Sequence, residues 1–127
     1  MAQLKSPLSK AIGLGSAKHG FSHWWLQRVS AVALLPLSIW FVFSIVGLVG
    51  ADHAVVVAWM SSIFNASLLI LFICVLLYHA QTGLQVVIED YIHTKWLNLV
   101  LMYAMKFSAA VLGMIAVVSV LKVAFGA

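Results

Sequence analysis

One histidine of this 127-residue chain lies where a polar side chain is costly. His79 sits inside an uncharged run from Ala54 to Ile88, eleven residues before Asp90. At helical rise that is about 16 Å from the carboxylate. An imidazole so deep in an apolar run marks a site or an interhelical contact, because hydrocarbon offers it no partner. Helical phase puts Gly83 about 40° and Asp90 about 20° from His79, with Phe72 and Asn65 on the same face. One stripe therefore carries an imidazole, a glycine one turn away and a carboxylate at the rim. Gly83 leaves room beside the ring for a flat bulky group or a closely packed helix.

Two chemistries fit. His79 either hydrogen-bonds across to another helix, or it is an axial ligand to a haem held between helices, its second ring nitrogen fixed by an acceptor. Spacing leaves both open. A haem would need a second ligand, and no other histidine shares the depth of His79. His93 shares its face but lies about 21 Å along the axis, and His19, His23 and His53 read as solvated or interfacial side chains. Met102, Met105 and Met114 read as filler of the third apolar run. A six-coordinate iron would thus draw its other ligand from a separate subunit, and this chain would hold half a site. Cys74, the single cysteine, has no internal disulfide partner and reads as a small buried hydrophobe.

The elements that position these residues follow from composition. The chain is 65% apolar and 8% charged, against about 25% charged in soluble domains. Lipid must therefore be the solvent for much of its surface. A nucleic-acid reader is excluded, since the net charge of +4 comes with no basic face on a soluble domain. We expect an all-α integral membrane protein, one domain over 1–127, with spans at about 24–50, 58–88 and 97–124. Trp24 and Trp25 suit the interfacial belt, and Pro36 is expected to kink the first helix. The second run exceeds one bilayer thickness, so its first residues are expected in the loop or interface. Lys5, Lys10, Lys18 and Arg28 make residues 1–23 and their flank basic, while the first loop, around Asp52 and His53, has no Lys or Arg. The N-terminus and the second loop, with Lys95, should then face the cytoplasm; Lys122 argues weakly the other way. The N-terminus has neither a secretory signal nor a transit peptide's Arg content, which suggests a bacterial inner-membrane protein. There is no phosphate-cradling glycine loop and no cysteine cluster.

The stretch Tyr78-His79-Ala80-Gln81-Thr82-Gly83-Leu84-Gln85-Val86-Val87-Ile88-Glu89-Asp90-Tyr91 resembles the second helix of the smaller, hydrophobic membrane-anchor subunit of succinate dehydrogenase. The shared pattern is His-Ala, Gly four residues past the His, and Asp-Tyr eleven and twelve past it. The sister anchor typically carries Arg-His before its Asp, where this chain has Val86 and Val87. The resemblance implies half of a haem-binding helical bundle, completed by a second cytochrome b anchor subunit. His79 would be an axial ligand of haem b, with Gly83 packing beside it. Tyr91 would hydrogen-bond a carbonyl of ubiquinone, with Asp90 alongside. Arg28, in Gln27-Arg28-Val29-Ser30, would lie near the quinone and the haem propionates. An iron–sulfur subunit and a flavoprotein subunit would dock on the cytoplasmic side, and succinate oxidation would happen there, not in this chain. Lys106, about ten residues inside the third helix, either snorkels or pairs with a propionate or Asp90. A related fumarate reductase anchor and a cofactor-free structural protein are the alternatives.

Overall fold

The computed structural model describes residue 8 and residues 20–126. Most of the basic segment 1–23, with Lys5, Lys10, Lys18 and His19, lies outside the described residues. The chain is all-α: α1 spans Gly20–Gly47, α2 His53–Ser61, α3 Ile63–Tyr91 and α4 Lys95–Ala124. The three long helices, of 28, 29 and 30 residues, are apolar enough to cross a membrane. At 1.5 Å per residue each exceeds a hydrocarbon core of about 30 Å, so it must tilt or project into the headgroups.

The apolar run that reads as one helix over 58–88 is divided in the structure. The chain turns at Ser62 (φ −62°, ψ 126°), ending α2 and starting α3. Local polar groups explain the break. The Ser62 N–H donates to Trp59 O at 3.4 Å, and Asn65 Nδ2 donates to the same carbonyl at 2.9 Å. Ser61 Oγ donates to Val57 O at 2.8 Å. Short polar side chains that bond nearby backbone compete with the helical ladder, and hydropathy does not register them. At the other interruption Gly50 has φ +78°, a left-handed conformation that glycine adopts freely. Pro36 lies within α1, which continues through it to Gly47.

Helix α3 is central. It packs against both α1 and α4, whose backbones come nowhere within 8 Å of each other, while α2 lies against α3 and α4. The apolar core sits at the α1–α2 end, where Ala66, Leu69 and Val120 are buried among Trp40, Phe41, Trp59 and Ile73. Trp40 stacks on Trp59 with centroids 5.9 Å apart, and Phe41 on Phe72 at 4.9 Å. Between α3 and α4, small residues permit close approach: a Cβ on Gly113 would lie 3.1 Å from Leu77 Cδ1. Because the three long helices form a layer and not a closed bundle, large apolar side chains stay exposed on both faces. Cys74 is one consequence. Expected to be buried, it is exposed, since it lies on a face of α3 that neither α1 nor α4 covers.

Candidate functional site

Away from the apolar core, the α1–α3 seam turns polar. On α1 the residues facing α3 recur at spacings of four and three: His23, Gln27, Ser30, Leu34, Leu37 and Phe41 are all buried or half-buried. That is the period by which one helix keeps a single seam on its neighbour. Its apolar members, Leu34, Leu37 and Phe41, lie toward the core, and its polar members meet the His79 region. Ser30 lies ten residues into α1 and His79 twelve before the end of α3, about 15 and 18 Å from those ends. In antiparallel helices the two are level.

The contacts are specific. His79 is half-buried, and its Nδ1 is 2.9 Å from Ser30 Oγ. Ser30 Oγ also donates to the Gln27 carbonyl at 2.9 Å. One turn along α3, Thr82 Oγ1 reaches the Gln27 side-chain oxygen and the carbonyls of Tyr78 at 2.9 Å and His79 at 3.0 Å. A Cβ on Gly83 would lie 3.5 Å from Gln27 Nε2, so this glycine faces the α1 amide at ordinary contact distance.

Beside these contacts runs an open groove of about 390 Å³, walled by His23, Trp24, Gln27, Arg28 and Ala31 on one side and His79 and Val86 on the other. Arg28 is exposed, its guanidinium 4.4 Å from the centre of the Trp24 ring, a contact that holds the cation against the aromatic face. His23, read from sequence as interfacial, is half-buried, and its Nε2 is buried without a hydrogen-bond partner among the described residues. Such an orphan is unusual, and the nitrogen is closed off within the chain, not presented to the groove.

The structure therefore brings His79 and Arg28 to one groove with His23 and Gln27, and places Ser30 and Thr82 on the seam beside it. Asp90 and Tyr91 do not line it. Both are exposed at the end of α3, Tyr91 to 77%, with Val86 of the groove one turn from Asp90. Their end of the helix is fixed by Asn98 of α4, whose Nδ2 donates to Ile92 O at 3.0 Å and Ile88 O at 3.3 Å. Met102 and Met105 are half-buried on α4, whose backbone stays more than 8 Å from that of α1, and Met114 and Lys106 are exposed.

A haem can be tested against these residues. Among the described residues no three His, Cys, Asp or Glu side chains come together, so a metal held here must bring most of its ligands with it. His79 suits that: with Nδ1 engaged by Ser30, Nε2 is the nitrogen available to a ligand. The open groove and the exposed Arg28 cation fit a flat group with acidic edges.

Comparison with known proteins agrees with this architecture. Residues 2–121 match the model of the succinate dehydrogenase/fumarate reductase transmembrane subunit family, and the chain belongs to that family. It is 35% identical to the succinate dehydrogenase hydrophobic membrane anchor subunit of Rickettsia bellii, over 80% of this chain and 82% of that one. It is 38% identical to the subunit of that name from Rickettsia conorii, over 69% and 71%. Against its namesake from Paracoccus denitrificans it is 31% identical, over 84% and 83%. No solved structure matches. The family expected from the stretch 78–91 is thus the one found.

Proposed function

We propose that this chain is the smaller membrane-anchor subunit of a bacterial succinate:ubiquinone oxidoreductase, with its N-terminus in the cytoplasm. In this reading it binds haem b jointly with a second cytochrome b anchor subunit, forms part of the ubiquinone site, and docks the iron–sulfur and flavoprotein subunits. The observation that carries the reading is His79, a membrane-depth imidazole with Nδ1 held at 2.9 Å by Ser30 and a groove beside it. His79 would ligate the iron through Nε2. Arg28 would face the haem's acidic edge and the quinone. A haem so held would supply one-electron redox chemistry beside the quinone site.

Quinone reduction takes two electrons and two protons, and this chain's share is the handling of oxygen atoms and protons. The Tyr91 phenol would donate a hydrogen bond to a quinone carbonyl, Asp90 would orient or relay a proton at the water boundary, and Arg28 would stabilise negative charge developing on the ring. Exposure of Asp90 and Tyr91 supports a site whose remaining wall belongs to other subunits. The family's description spans fumarate reductase as well, so the same wiring run in reverse is the second reading. The direction of turnover with quinone or quinol separates the two.

The test is a reduced-minus-oxidised absorption spectrum of membranes carrying wild-type protein or His79→Leu. A b-type band that is lost, or converted to a high-spin form, in the variant is the expected result. An identical low-spin band in both removes His79 as ligand. A wild-type assembly with no b-type band removes the haem.

A further inference from the structure

Ser30 and Thr82 are the two buried polar side chains among the described residues, 7% and 4% exposed, and both lie on the seam around His79. Thr82 bonds to its own helix and to Gln27. Ser30 is different, because its single hydroxyl proton decides the state of another residue. Its oxygen is 2.9 Å from Gln27 O and 2.9 Å from His79 Nδ1. The carbonyl can only accept, so with both contacts made as hydrogen bonds the serine proton goes to Gln27, the usual back-bond of a serine within a helix. The oxygen then accepts a hydrogen from Nδ1. A neutral imidazole with its proton on Nδ1 carries its lone pair on Nε2, the nitrogen left for a ligand.

We propose that Ser30 is a positioning residue for His79. It selects the tautomer whose Nε2 is free, fixes the ring plane against α1, and by drawing on the Nδ1 proton strengthens the donation from Nε2. The consequence concerns the metal's electronics. A stronger imidazole donor stabilises the ferric state and lowers the reduction potential, so Ser30 holds the potential down. Gln27 takes part through its backbone carbonyl, which orients the hydroxyl, and through its side chain, which ties Thr82 and hence the next turn of α3 to α1. This inference rests on His79 being an axial ligand; what it adds is the device that makes it one.

The decisive pair is Ser30→Thr against Ser30→Val in the intact complex, since the two side chains share a shape and differ in the hydroxyl. Ser30→Ala serves as the smallest deletion where a β-branched residue prevents assembly. The readouts are haem content, redox titration of the b-type band and the low-spin electron paramagnetic resonance signal of the oxidised complex. Ser30→Thr is expected to match wild type. Ser30→Val and Ser30→Ala are expected to raise the potential by up to a tenfold change in the oxidised-to-reduced ratio, ~59 mV for one electron, with a shifted low-spin signal. Haem lost from Val or Ala but kept with Thr also supports the assignment. Potentials and signals equal in wild type, Thr and the hydroxyl-free variants overturn it and leave His79 as a ligand. A wild-type complex without haem overturns the ligand reading itself.

Discussion

Side chains that lie close together on the α1–α3 seam do separate work. Arg28 rests on Trp24, which leaves its charge directed along the groove without an acidic partner in this chain's seam. Arg28→Leu is expected to lower quinone reduction roughly tenfold or more in steady-state assays with a soluble quinone, and Arg28→Lys less, because the ammonium loses the planar stacked geometry. Tyr91→Phe removes one hydrogen bond at an exposed position, so its expected effect is a rise of about tenfold in the KM for quinone with assembly intact. A wild-type KM in Tyr91→Phe would place the quinone elsewhere. His79 was legible in the sequence because an uncharged run makes a lone imidazole conspicuous. Ser30, Gln27 and Thr82 were not, since small polar residues are ordinary on apolar helices. The signal that could have found them is the four-three spacing His23-Gln27-Ser30, the same seam that continues through Leu34 and Leu37 to Phe41.

Among the helices, the lengths of the spans were legible and their interruptions were not. Hydropathy marks where a helix is soluble in lipid, and it marks three runs where there are three long helices. It does not register that Asn65 and Ser62 can claim the Trp59 carbonyl and divide the second run. The α3–α4 connection has its own polar fastener. Asn98→Ala removes the two bonds to Ile88 O and Ile92 O and is expected to cost about 1 kcal/mol in detergent unfolding. The same change should weaken quinone turnover, because those bonds fix the helix end that carries Asp90 and Tyr91. Further along the same α3–α4 interface, Gly113 has Leu77 where a Cβ would go, at 3.1 Å. Gly113→Val is expected to destabilise the helix pair by about 1–3 kcal/mol and to reduce assembled protein, measured by the same unfolding transition.

The whole molecule is a layer of helices with its packed core at one end and its polar seam toward the other. Few residues are buried and many large apolar ones are exposed, so the chain covers little of its own surface. Lipid can cover an apolar face. Hydrocarbon has no counter-charge for the Arg28 cation, which lies with the half-buried His79 on one side of the α1–α3 seam. That asymmetry is the reason to place the proposed second anchor subunit and haem on this face. Lys106 belongs to the same assembly question. It is exposed on α4, a helix whose backbone stays more than 8 Å from that of α1. If it meets a propionate or Asp90 in the assembly, Lys106→Met should weaken haem retention or quinone turnover; unchanged spectra and rates would remove the idea.

Ligation of an iron by His79 Nε2, across the groove beside Ser30, underlies the electron-transfer role proposed for this chain. A density map of the intact complex at a resolution that shows side chains would decide it. The expected map has a porphyrin between this chain and the second anchor, its iron bonded to His79 Nε2 and the opposite ring nitrogen still on Ser30. A ring that meets only protein or lipid, with no macrocycle beside it, would refute the ligation and the role with it.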